Sequence, residues 1–142
     1  MLSARGIVSA MIDHLSTYAT DFAATRAFYE AALRPLGYAL QMEFVAKEDR
    51  EFPERRICAF GLPGKPAFWV IEVKEPSSPR HVAFVAPDRR AVGAFHTAAL
   101  RAGGRDNGKA GLRPEYHEHY WGAFAFDPDG NNVEAVCHAP EK

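Results

Sequence analysis

HLSTYATDFAATRAFYEAALRPLG, residues 14 to 37, and HVAFVAPDRRAVGAFHTAALRAGG, residues 81 to 104, are two versions of one unit. At an offset of 67 residues they share eleven identities over 24 positions without a gap, where so alanine-rich a composition would give about two by chance. His14 matches His81, Asp21 matches Asp88, Phe28 matches Phe95, Leu33 matches Leu100, Arg34 matches Arg101 and Gly37 matches Gly104; the other five pairs are alanines. Each shared position has a physical reading. The segments 11–19 and 80–86 are short, apolar and closed by a polar residue or proline, so they predict strands. Asp21 and Asp88 stand where a side-chain oxygen caps the free amides that open a helix. Behind them Ala24, Ala27, Phe28 and Ala31, like Ala91, Ala94, Phe95 and Ala98, recur at i, i+3, i+4 and i+7, which makes one narrow apolar helical face. Gly37 and Gly104 then fall where a left-handed residue ends a helix at low cost.

After each helix the pattern turns strand-like: 38–46, 55–60 and 67–74 in the first half, and a short piece after Gly104, 119–126 and 131–138 in the second. The turns Gly61-Leu62-Pro63-Gly64 and Asp127-Pro128-Asp129-Gly130 both follow an Ala-Phe pair, at an offset of 66, so the last hairpins correspond as well. The expected fold is α+β, with two paired βαβββ modules, about 11–74 and 80–138, forming a curved mixed sheet around a central cavity. Residues 11–142 make a single domain, and residues 1–10 read as an N-terminal extension. Lys47 to Glu54 is a charged surface stretch. Arg105 to Glu118 is expected to be a long loop, and long loops in a compact domain are disproportionately functional.

Composition narrows the function. A chain of 142 residues, 47% apolar, is one domain's worth of core. A net charge of -1 without a basic run argues against nucleic acid, and the apolar runs are strand-sized, too short to span a bilayer. Cys58 and Cys137 are too few for a disulfide framework and not at a metal-clip spacing, which predicts reduced thiols and a cytoplasmic protein. The partner expected is therefore a small molecule.

Residues at equivalent positions of two such modules face each other across a pseudo-twofold axis, and His14 and His81 are such a pair. On the closing strand Asn132, Glu134 and Val136 share a parity, and Glu134 is an acid inside the apolar run Val133 to Val136. A carboxylate on a mid-sheet strand is costly to bury unless it is paired or ligates a metal. The reading that satisfies all three is convergence of His14, His81 and Glu134 on one divalent ion, leaving positions open for substrate or water. The alternatives are an ordinary strand histidine with one hydrogen bond and an acid paired with an arginine. In the loop, Arg113, Tyr116, His117, His119 and Tyr120 cluster ahead of the next strand. Tyr120 and His117 are catalytic candidates, as hydrogen-bond donor and proton shuttle, and Arg113 and Tyr116 are substrate-binding candidates; a polar surface loop is the alternative.

The paired βαβββ pattern, a histidine opening each module, Phe28-Tyr29, Leu36-Gly37, and the string Phe126-Asp127-Pro128-Asp129-Gly130 followed by Asn132-Val133-Glu134 resemble the vicinal oxygen chelate superfamily, which includes glyoxalases, bleomycin resistance proteins and extradiol dioxygenases. The resemblance covers Met11 to His138. It implies a metal-dependent enzyme, oxygenase-like or lyase-like, acting on a small substrate with neighbouring oxygens. The divalent ion would be Fe, Mn, Zn or Ni, acting as a Lewis acid or activating dioxygen. Members that resemble glyoxalase I take a further acid from the closing strand of the first module. Aligning the hairpins through Gly64 and Gly130 puts Phe68 opposite Glu134, and a register slip would bring Glu72 there instead. Phe68 and Glu72 are accordingly candidates for the substrate pocket, Glu72 also for a fourth ligand. The resemblance further implies a homodimer. Its alternative is a non-catalytic protein that sequesters a small molecule, as members resembling bleomycin resistance proteins do.

Overall fold

In the computed structural model, which describes residues 11–140, the first module runs β1 (Leu15–Ala19), α1 (Phe22–Leu33), a 3-10 turn (Arg34–Leu36), β2 (Ala39–Val45), β3 (Arg56–Leu62) and β4 (Lys65–Glu72). The second runs β5 (His81–Val85), α2 (Arg89–Arg101), β6 (Arg105–Leu112), β7 (Trp121–Phe126) and β8 (Asn132–Cys137). The expected extension at residues 1–10 lies outside the described residues. Both caps form as the repeat predicts: the Asp21 carboxylate accepts the Ala24 amide at 3.2 Å and that of Asp88 the Ala91 amide at 2.8 Å. Gly37 ends the first helical segment at φ 94°, as expected. In the second module the left-handed place belongs to Gly103, at φ 100°, rather than to Gly104. Gly104 is required for closeness instead, since a Cβ there would come within 2.5 Å of the Phe28 ring and 2.8 Å of the Ala99 carbonyl.

Each module forms its own four-stranded sheet, ordered β1-β4-β3-β2 and β5-β8-β7-β6. The first strand of each pairs in parallel with the last, and the remaining pairs are antiparallel. The architecture is α+β with two similar modules, but the sheets are not closed around a common cavity. Helix α1 covers one side of the first sheet, where Cys58, Phe60, Phe68 and Val70 are buried, and α2 covers one side of the second, over Ala123, Ala125, Val133 and Ala135. These helix-covered sides belong to one core: Phe84 of β5 meets Phe68 of β4 edge-on, with ring centroids 5.1 Å apart. Among the described residues the opposite, open sides of the two sheets are left unjoined.

A buried polar clasp also ties the modules. The Tyr29 hydroxyl of α1 donates to Asp127 Oδ2 at 2.6 Å. The same carboxylate accepts the backbone amides of Asp129 and Asn131, each at 2.9 Å, and the Asn131 side-chain amide at 2.8 Å. That side-chain amide reaches on to Thr17 of β1, and Thr20 bonds Asp129. The turn leading into β8 is thus fastened to both the first strand and the first helix.

Two local expectations change. Most of the expected loop 105–118 is strand β6, whose polar, glycine-rich sequence RDNGKAGL carries no alternation; its ladder is interrupted by irregularities at Gly108 and Gly111. His14 lies just ahead of β1 rather than on it. The cause is a bulge in the first hairpin: Gly61 pairs with Pro66 and Phe60 with Phe68, so Ala67 is one residue too many. Ala67 is the residue that His14 would face in the parallel β1–β4 ladder, which begins at Leu15 and Phe68. Among the described residues no helix is long and apolar enough to cross a membrane.

Candidate functional site

Alternation along the strands assigns each side chain to a side of its sheet. In the second sheet Val82 and Phe84, Val133 and Ala135, and Ala123 and Ala125 pack into the core. His81, Glu134 and Phe124 therefore stand on the open side. Glu134 is 1% exposed although it is not on the core side, because its neighbours enclose it. His81 Nε2 lies 2.9 Å from Glu134 Oε1, and the Tyr120 hydroxyl donates to Glu134 Oε2. Gly122 on β7 leaves the room: a Cβ there would sit 3.4 Å from Glu134 Oε2 and 3.2 Å from the Tyr120 ring.

Burial first, and then the adjoining carboxylate, holds the Tyr120 phenol well above its usual range. Tyr120 is thus a fixed proton donor to Glu134. Its ring is boxed in by Tyr116 at 4.9 Å, His117 at 5.4 Å and His138 at 5.3 Å. His117 Nε2 is 2.8 Å from His138 Nδ1, with the rings stacked, and His117 Nδ1 accepts the His119 backbone amide at 3.0 Å. The Arg113 guanidinium lies 5.3 Å over the Phe124 ring and donates to the Lys109 carbonyl. The structure thus brings His81, Glu134, Tyr120, Tyr116, His117 and Arg113 to one side of one sheet.

It does not bring the rest. His14 bonds the neighbouring Asp13 carboxylate at 2.7 Å. Among the described residues no three His, Cys, Asp or Glu side chains gather as a metal would need. Within one chain, then, the expected His14, His81 and Glu134 convergence does not occur. Phe68 is 4% exposed on the helix-covered side, against Tyr29 and Phe84, and lines no open face. Glu72 also lies on the helix-covered side, where it pairs with Arg56 through both carboxylate oxygens and accepts the Arg56 amide. The Arg56 hydrogen bond, above all, lowers the Glu72 carboxyl below its ordinary range, and the group is committed there.

The bulge at Ala67 also corrects the comparison of the two hairpins. In the parallel ladders Ser16 pairs with Trp69 and Ala83 with Glu134, and Ser16 and Ala83 are equivalent in the repeat. Trp69, not Phe68, occupies the first module's version of the Glu134 position. It stands on an open side with Met42, Phe44, Ile57 and Ile71, its ring 6.3 Å from that of Phe44. The sequence reading also passed over His138, although it continues the row Asn132, Glu134, Val136 by the same alternation.

An imidazole nitrogen and a carboxylate oxygen that meet on an accessible face suit a borderline divalent cation. His81 and Glu134 would fit as two ligands of such an ion, and among the described residues no third His, Cys, Asp or Glu joins them. The family model described as the glyoxalase/bleomycin resistance protein/dioxygenase superfamily matches residues 11–135. A comparison with curated proteins gives no match. Among solved structures, a glyoxalase/bleomycin resistance protein from Albidiferax ferrireducens T118 superposes with a TM-score of 0.71 at 21% identity, over 92% of this chain and all of that one. Glyoxalase I from Zea mays gives 0.67 at 17% identity, over 92% of this chain and 45% of that one. A glyoxalase-related enzyme from Fulvimarina pelagi gives 0.64 at 18% identity, over 92% and 88%. With its paired modules, its repeat and a family match over nearly its whole length, the chain belongs to the glyoxalase/bleomycin resistance protein/dioxygenase superfamily.

Proposed function

We propose that the protein is a metal-dependent enzyme acting on a small oxygen-rich molecule at the open face of the second sheet, in a homodimer whose partner supplies the remaining ligand. The observation that carries this reading is Glu134: a carboxylate enclosed on an open sheet face and shared by an imidazole and a phenol. A structural acid would gain nothing from that exposed histidine that water could not supply, whereas a ligand needs an orienting partner. His81 and Glu134 would hold the ion, and His14 of a second copy would complete the set, since the unjoined open faces leave each half-site available. The bound ion would act as a Lewis acid toward neighbouring substrate oxygens or activate dioxygen. Tyr120 donates its single hydrogen bond to Glu134 Oε2 and so holds the carboxylate in one orientation, with Oε1 toward His81. Arg113 supplies positive charge at the rim, and Tyr116 packs Tyr120 into place.

The test is metal content in single and mixed variants. His14→Ala and His81→Ala should each lose stoichiometric metal when made alone. Co-expressed, they should regain one ion per mixed dimer, because one of the two sites then has both histidines intact. Stoichiometric metal in His81→Ala, or no recovery in the mixture, refutes the arrangement. One observation favours a second reading: Met42, Phe44, Ile57, Trp69 and Ile71 make a continuous apolar stretch on the open face of the first sheet, suited to sequestering an apolar ligand. Tight binding of an organic ligand, with no metal retained on loading, would support sequestration.

A further inference from the structure

We propose that His138 is a substrate-binding residue of this site, presenting its Nε2–H as a fixed donor to an acceptor oxygen of the bound molecule. The inference rests on reading the open face of the second sheet as the substrate site, and it follows from one backbone amide. The His119 N–H can only donate, so His117 Nδ1, which it meets at 3.0 Å, is the bare nitrogen. In the neutral ring the proton is then on His117 Nε2. That nitrogen lies 2.8 Å from His138 Nδ1, which therefore accepts, and the proton of neutral His138 is left on Nε2. Among the described residues nothing bonds that last nitrogen.

Its position suits a ligand. His138 continues the β8 row that carries Glu134, and its ring touches the ring of Tyr120, whose hydroxyl holds Glu134. The free donor and the carboxylate thus flank the same phenol. Arg113, near Phe124 on the adjacent strand, adds positive charge to that side. A neutral N–H donor selects an acceptor oxygen such as that of a carboxylate or carbonyl, and the guanidinium on the same side of the sheet favours an anionic ligand over a cationic one. The His119–His117–His138 chain also leaves the pair poorly suited to be a metal site, since the nitrogen facing His138 carries a proton.

The tautomers can be read directly. In metal-free protein at pH 8.5, where free imidazole is neutral, nitrogen-15 correlation spectra should show both His117 and His138 protonated at Nε2. Titration with oxalate, a planar vicinal-oxygen anion, should shift the His138 Nε2 resonance. His138→Phe, which keeps the ring packing, should weaken oxalate about tenfold, and His138→Gln should recover most of the loss. A proton on His138 Nδ1, equal oxalate affinity in His138→Phe, or no oxalate binding by the unaltered protein would each overturn the inference. The metal reading fails separately, by metal content: His138→Phe should keep its metal, and loss of metal in His81→Ala should leave the His138 tautomer unchanged.

Discussion

Tyr29→Phe removes one oxygen from the clasp between modules and tests whether the shared core is as coupled as it looks. Tyr29 is 1% exposed, and its hydroxyl meets Asp127 Oδ2 at 2.6 Å. Burial, then the Asp127 charge, raises its phenol well above the normal range, so it is a permanent donor. The substitution leaves the ring, and with it the edge-on contact to Phe28 at 4.9 Å and the tilted contact to Phe68 at 4.8 Å. What is lost is one hydrogen bond to a buried anion, worth about 1.5–3 kcal/mol. Asp127 keeps three donors, from the Asp129 and Asn131 amides and the Asn131 side chain. About 2 kcal/mol is therefore expected, which for a chain of this size lowers Tm by about 8 °C. Urea unfolding followed by circular dichroism and by the fluorescence of Trp69 and Trp121, one in each module, should shift as a single transition with m unchanged. Tyr18→Phe, on an open face, should stay within about 0.5 kcal/mol of the unaltered protein. A Tyr29→Phe loss that small, or full additivity with Asp127→Ala, would show that the clasp does not join the modules.

Two further outcomes follow from the protonation chemistry. Because Arg56 lowers the folded-state carboxyl of Glu72, the stability it contributes is complete above the unfolded carboxyl range, near pH 4.3, and is lost as pH falls through the lower folded value. Arg56→Met removes that depression, so the acid-unfolding midpoint should move to higher pH; a midpoint that stays put or falls would contradict the pairing. Cys58 is 0% exposed and its thiol is pushed up to about 12, by burial first and then by the Glu43 charge. It should resist alkylation at pH 8 in the native state and react only on unfolding, and rapid native modification at Cys58 would contradict its placement under α1.

The repeat made the modules legible because duplicated positions with local jobs stayed readable. Asp21 and Asp88 cap amides three residues on, and Phe28 and Phe95 sit on an apolar helical stripe that can be read within two turns. Strand β6 was expected only as a short piece after Gly104, and its full length was hidden because its ladder partner, not its composition, makes it a strand. The site was half legible. Glu134 stood out because an acid in Val-Glu-Ala-Val needs a partner, and His81 was found through its twin. The twin itself misled: one extra residue at Ala67 is invisible to an ungapped comparison, yet it takes His14 off the ladder and puts Trp69 where Phe68 was expected. His138 needed only one more step along β8. Its bond to His117 joins residues 21 positions apart, which no local pattern encodes. That the sheets share their helix-covered sides depends on Phe68 and Phe84, whose sequence surroundings suit either side equally well.

The exchange of tryptophan for glutamate at matching places on the two sheets has a consequence for the ancestry of the molecule. Two halves copied from one gene began as substitutes for each other, and a tandem of either would have built the same walls. They are no longer substitutes. A chain assembled from two second halves would carry an enclosed acid on each open face, and each would need its own phenol and imidazole, whereas a chain of two first halves would carry an indole at both places and no carboxylate at either. Asymmetry between once-identical walls has made the order of the halves part of the chemistry.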